Sequence, residues 1–80
     1  MLLKPITSEK AVKLIDVENT MMFEAPRNAR KDGIKKEVEN LFAVKVEKVR
    51  TLIHDNKKVA FVKINKSTPA SDIASKLGII

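Results

Sequence analysis

The sequence predicts an α+β sandwich, in which a mainly antiparallel β-sheet is packed by helices in the order β-α-β-α-β-β-α, related to ferredoxin-like folds. Three observations carry this. In the stretch Arg27 to Ile53, apolar residues first fall at helical spacing (Ile34, Val38, Leu41, Phe42) and then, from Val44, switch to alternation rich in β-branched residues. Two alternating runs flank Asp55-Asn56-Lys57, which is hairpin grammar. Helix-capping residues open two further amphipathic segments. Strands that follow one another through a short turn, with helices between the others, make a mainly antiparallel sheet with helices on it.

The elements follow in order. Met1 to Ile6 is apolar but contains Pro5, so it suits only an edge strand or a lead-in. Thr7 or Ser8 can cap a helix running to about Glu18, with Glu9 in the positive first turn and Ala11, Leu14 and Ile15 inward; Asn19 can stop it. Thr20 to Ala25 alternates, Met21, Phe23 and Ala25 on one face, and Pro26 ends it. Asn28 with Asp32 helps to start the central helix, whose stripe is Ile34, Val38, Leu41 and Phe42; Gly33 costs it about 1 kcal/mol relative to alanine. No glycine or proline separates this helix from the next strand, so the link at Ala43 is tight.

From Val44 to His54 the parity breaks once, and a bulge at Glu47–Lys48 would bring Val44, Val46, Val49, Thr51 and Ile53 to one face. The alternative is a strand buried on both sides at one end. Lys58 to Asn65 is the partner strand, with Ala60, Val62 and Ile64 inward and Phe61 opposite. Thr68 as N-cap and Pro69 at the first helical position open the last helix, Ile73, Ala74 and Leu77 inward. Gly78 ends it in the left-handed region, where Ile79 or Ile80 can fold back.

Eighty residues make one domain, which buries only about 60–65% of the surface its unfolded chain exposes. With no cysteine there is no disulfide and no thiolate metal site, which fits a reducing interior. No run approaches the roughly 20 apolar residues that span a bilayer, so no membrane insertion is expected. MLLKPITSEK lacks the apolar core of a signal peptide, pointing to an intracellular protein. Sixteen Lys and Arg against ten Asp and Glu give a net charge of +6. An excess so one-signed and partly clustered favours a polyanionic partner, nucleic acid first, over a merely Lys- and Glu-rich thermophile-like surface.

The residues argue against catalysis and against any cofactor. His54, the only histidine, falls at a strand end before a turn and reads as solvated; no second histidine or cysteine completes a metal set. The serines sit in or beside helices, none in a nucleophile elbow, and two glycines do not make a phosphate-cradling loop. A small acyl phosphatase-like enzyme would need such an anion loop with a convergent arginine. An RNA-recognition motif would stack bases on strand aromatics, yet the only candidates are Phe23 and Phe61, and both read as core. RNA contact should then be to phosphates and shape. The basic residues sort into Lys4, Lys10 and Lys13 around the first helix, Arg27, Arg30 and Lys31 where the central helix starts, and Lys57 and Lys58 at the hairpin tip, near Arg50 and His54.

KPITSEKA near the start, ARKDGIKKEVENLFAVKVEKVRTLI in the middle, KVAFVKI in the hairpin and SDIASKLGI at the end together resemble the ribosomal protein L23 family of the large subunit, in its archaeal form. The resemblance covers nearly the whole chain and is most specific over the helix-to-strand segment. It implies a structural role on the cytoplasmic ribosome and binding of large-subunit (23S-type) rRNA; the charge grouping makes Lys4, Lys10, Lys13, Arg27, Arg30, Lys31, Arg50, Lys57 and Lys58 the candidate contacts. It also implies neighbouring large-subunit proteins as partners. It implies a position beside the polypeptide exit tunnel, where the signal recognition particle or nascent-chain chaperones dock. The docking glutamate of the family's Ser-Glu-Lys run falls on Glu9, and the aromatic that ends the central helix falls on Phe42, which could equally be core. The sequence departs from the family where Arg30 replaces a frequent threonine cap and Ala43 an acidic or polar residue. It also carries Arg50 in place of a usual asparagine and Val59 between the hairpin's basic pair and the small residue that follows, and it lacks the long bacterial hairpin extension.

Overall fold

A computed structural model describes residues 3–78 and shows the expected order. Strand β1 spans Lys4–Pro5, helix α1 Glu9–Glu18, strand β2 Thr20–Ala25 and helix α2 Lys31–Phe42. Strand β3 spans Val46–His54, strand β4 Lys57–Ile64 and helix α3 Ala70–Lys76. The four strands form one sheet in the order β1-β2-β4-β3, antiparallel throughout. Met1 and Leu2, and the expected fold-back of Ile79 or Ile80, lie outside the described residues.

Strand alternation decides which face of the sheet is covered. Met21, Phe23 and Ala25 of β2, Ala60, Val62 and Ile64 of β4 and Val46 of β3 are buried. They form one cluster with Ile15 of α1, Ile34 and Val38 of α2, and Ala70, Ile73 and Ala74 of α3. The helices therefore take one face, and among the described residues no element covers the other. The bulge falls where the parity break puts it: the β3–β4 register shifts between Val46 and Lys48, after which Val49 pairs with Val62 and Thr51 with Ala60 on the core side. Asp55 and Asn56 both adopt positive φ, 51° and 63°, as the two central residues of a type I′ hairpin turn must. Lys57 is thus the first residue of β4, paired with His54 of β3, and is not a turn residue.

Several local expectations are met and others shift. Ser8 caps α1, its Oγ accepting from the Ala11 amide at 3.2 Å. Ala43 takes the left-handed conformation (φ 54°) and turns the chain at once from α2 towards β3. The Glu39 carboxylate holds that corner by accepting from the Val46 amide at 3.1 Å. Gly78 is left-handed at φ 75°. Asn28 does not start α2: the Ala29 amide donates to the Pro26 carbonyl at 2.9 Å, which spends Asn28 in a turn and leaves Arg30 as an N-cap without a side-chain bond. In α3, Pro69 and not Thr68 is the N-cap, because Pro69 keeps an extended ψ of 132° and the helix begins one residue later.

Three apolar expectations are corrected. Leu41 is 60% exposed, since α2 packs against the edge strand β3 and the flank of its stripe overhangs the sheet. Ile53, 50% exposed, is on the helix-facing side but near the hairpin turn, beyond the helices' cover. Leu77, 37% exposed, follows the last turn of α3 and is not part of its inner face.

Asn19 joins the layers. Its φ of 51° ends α1, and its backbone carbonyl accepts from the Ile64 amide at 3.0 Å. Its Nδ2 donates to the carbonyls of Ile64 (2.9 Å) and Thr68 (3.2 Å), and more weakly to that of Asn65 (3.4 Å). Its Oδ1 accepts from the Ala70 amide at 2.6 Å, supplying from 51 residues away the cap that α3 lacks locally. Asn19→Ala removes these bonds and puts a Cβ without a compensating polar group into a left-handed residue, so about 2–4 kcal/mol of stability should be lost. Urea unfolding at unchanged m-value measures it, and a loss under about 0.5 kcal/mol would contradict this role for Asn19.

Candidate nucleic-acid interface and protein-docking end

The register gives the sheet two distinct ends. At the hairpin end, Lys4 lies opposite Glu24 and Ala25 opposite Lys58. Here β2 passes into the loop carrying Arg27 and then into the start of α2 at Arg30 and Lys31. The loop is tied to the hairpin twice: Arg27 Nη1 donates to Asn56 Oδ1 at 3.3 Å, and Lys58 Nζ donates to the Ala29 carbonyl at 2.6 Å. Six of the nine candidate RNA contacts, Lys4, Arg27, Arg30, Lys31, Lys57 and Lys58, therefore belong to one end. Their counter-charges are few: Glu24 sits 3.5 Å from Lys57, Asp55 sits 3.4 Å from His54, and Asp32 occupies the first turn of α2. Such exposed pairs contribute little and are screened by salt. Lys58 is half-buried and committed to the Ala29 carbonyl, so it fixes the loop as well as charging it.

The other three candidates lie elsewhere. Lys10 and Lys13 are exposed on α1. Arg50 is in mid-strand on the open face and not at the hairpin tip; its guanidinium lies 5.2 Å from the ring centroid of Phe61. Phe61 is thereby corrected: it is half-buried under Arg50 on the open face, outside the core cluster that holds Phe23. Lys48 and Lys63, directly opposite each other on the same face, are basic residues that the sequence reading passed over. The signal was available, because both alternate with Arg50 and Phe61 against the buried positions. His54 is exposed, and the described residues contain no group of side chains placed to hold a metal.

The opposite end holds Glu9 and Phe42. Strand β1 runs from Glu24 towards Met22, continued by the Ile6 amide bonding the Met22 carbonyl, so Ser8 and Glu9 emerge near the Thr20 end of β2. Phe42 closes α2 just before Val46, which pairs with Ile64 at that same end. Glu9 is exposed. Phe42 is half-buried, its ring 6.5 Å from that of Phe23 at an interplanar angle of 21°. It also lines an open groove of about 510 Å³ with Val44 and with Thr68, Asp72, Ile73 and Lys76 around α3. Part of the ring therefore packs in the core and part is exposed to the groove.

Comparison with known proteins decides the family. Residues 1–73 match the family model described as Ribosomal protein L23. The chain belongs to the ribosomal protein L23 family. The large ribosomal subunit protein uL23 of Methanothermobacter thermautotrophicus is 40% identical over 80 residues, covering 99% of this chain and 93% of that protein.

A ribosomal protein L23 is a structural constituent of the large subunit of the cytoplasmic ribosome, with rRNA and other ribosomal proteins as partners, and is not an enzyme. In this member of the family Arg30 stands at the N-cap of α2, where its side chain makes no capping bond and is left to solvent or to a ligand. Phe42→Ala should cost about 1–3 kcal/mol, less than the roughly 3–5 kcal/mol for a fully buried phenylalanine. Thermal or urea unfolding tests this; a cost below about 0.5 kcal/mol would mean the stack on Phe23 adds nothing to the core.

Proposed function

We propose that this L23 protein acts as one rRNA-binding domain, holding large-subunit (23S-type) rRNA through its basic residues. Its Glu9–Phe42 end stands beside the polypeptide exit tunnel and forms part of the docking site for the signal recognition particle or nascent-chain chaperones. One observation carries this reading: the cations of Arg27 to Lys31 and of the hairpin gather at one end of the sheet, while Glu9 and Phe42 emerge at the other. A polyanion gripped at the first end leaves the second free for protein.

The chemistry suits phosphate. Arginine offers a planar fork of donors and lysine a compact charge, and both bind phosphate oxygens by charge-assisted hydrogen bonds. Arg27 and Lys58 are held by the hydrogen bonds that tie loop to hairpin, so part of the ordering cost is met before RNA arrives. Lys10, Lys13 and Arg50 extend the basic surface beyond that end. At the docking end, an exposed carboxylate next to a partly presented aromatic suits a partner with a cationic rim and an apolar anchor.

Two measurements test the two ends separately. Exchanging Lys31→Glu and Lys57→Glu together should weaken binding to purified large-subunit rRNA and flatten the plot of log K against log salt by about 1.4–1.8, at roughly 0.7–0.9 per phosphate contact. An unchanged slope would contradict the hairpin-end contacts. Glu9→Ala should slow recruitment of the signal recognition particle to large subunits, with the chain's own stability altered by less than about 1 kcal/mol. Normal recruitment rates would remove Glu9 from the docking site.

A further inference from the structure

The open face of the sheet has a built feature that the hairpin-end grip does not use. Phe61 of β4 lies opposite Arg50 of β3, which covers it at 5.2 Å, and the next pair on the same face of the ladder is Lys48 opposite Lys63. These four side chains, with Glu18 and Thr20, line an open hollow of about 220 Å³. That is smaller than the roughly 300–1,000 Å³ of pockets that enclose a small molecule. Like charges directly opposite across a ladder destabilise a sheet. Glu18 shares the hollow, but neither lysine takes part in an ion pair found among the described residues, so an anion placed between them would relieve their repulsion further.

The set is chemically mixed in an informative way. Lys48 and Lys63 suit a phosphate. The Arg50 guanidinium and the Phe61 ring offer planar surfaces for an aromatic group. Glu18 would repel a bare phosphate, but its carboxylate accepts from N–H donors, which nucleobases carry on their pairing edge. A phosphate, a flat base and a donor edge occur together in an unpaired nucleotide.

We propose that this hollow receives one unpaired nucleotide of the large-subunit rRNA, its base stacked on Arg50 and Phe61 and its phosphate between Lys48 and Lys63. This rests on the reading that the chain binds rRNA, and adds a stacked base to contacts otherwise made to phosphates. Phe61 is outside the core cluster, so it can be changed with the buried face intact.

The test uses the full chain and purified large-subunit rRNA. Phe61→Leu, which keeps an apolar group under Arg50 but no ring, and Phe61→Ala should each weaken binding about 5- to 150-fold with the salt slope unchanged. Phe61→Tyr should bind as the unaltered chain does. Lys48→Gln with Lys63→Gln should flatten the salt slope by about 0.7 for a shared single-strand phosphate. Phe61→Trp creates a lone tryptophan in a chain that has none, and its emission should be quenched on binding. Full affinity in Phe61→Leu, or unquenched Phe61→Trp emission in a complex that has formed, would overturn the proposal. If Lys31→Glu with Lys57→Glu still weakens binding in that case, the hairpin-end reading survives alone. If Phe61→Leu binds rRNA fully but its assembled subunits lack a neighbouring protein, the face belongs to that protein and the nucleotide proposal falls.

Discussion

The carboxamide of Asn19 is the constraint on which the architecture depends. One side chain satisfies carbonyls at the end of β4 and in the loop after it, and caps α3, while its own backbone ends α1 and joins β2 to β4. Polar groups without partners are costly away from water, so these bonds stabilise the meeting of four segments here. With α1 and α3 held at one end of the sheet and α2 delivered by the Ala43 corner, all three helices crowd one face. That crowding leaves over the surfaces on which the proposed contacts lie: an open face, a hairpin end beyond the helices and a far end where Glu9 and Phe42 emerge.

Charge and size make sense of such a scaffold as part of a larger particle. A chain of 80 residues with a net charge of +6 has a small core and a surface that repels itself. A bound polyanion relieves that repulsion and adds stability by mass action to the extent that it binds the folded chain more tightly than the unfolded one. The structural role of a large-subunit protein and its basic surface are thus two aspects of one design: the RNA is both ligand and stabiliser.

Much of this was legible in the sequence because it is local. Period-two and helical spacing gave the elements, the parity break at Glu47–Lys48 gave the bulge, and Asp55-Asn56-Lys57 marked the hairpin turn to within one residue. The first-helix cap was narrowed to Thr7 or Ser8. The basic runs Arg27 to Lys31 and Lys57 to Lys58 could also be read, but as separate groups; the β2–β4 register and the loop-to-hairpin bonds bring them to one end. Other features depend on contacts between distant segments. Asn19 reads as a helix stop, and nothing near it in sequence reveals that it caps a helix beginning at Ala70. Leu41 reads as part of the stripe because spacing does not tell that α2 lies over a sheet edge. Phe61 reads as core because aromatics usually are, although alternation sets it on the face opposite Ala60, Val62 and Ile64; the open face beneath Arg50 shows that alternation was the better guide.

The central claim is a division of labour between two ends of one sheet, and hydroxyl-radical footprinting of the protein within intact large subunits, read by mass spectrometry against the free chain, tests it directly. The expected result is strong protection of side chains at the hairpin end and around β3–β4, including Lys57, Lys58 and Phe61, with Glu9 and the exposed part of Phe42 as reactive as in the free chain. Protection at Glu9 and Phe42 together with a fully reactive hairpin end would mean that the RNA holds the molecule the other way round.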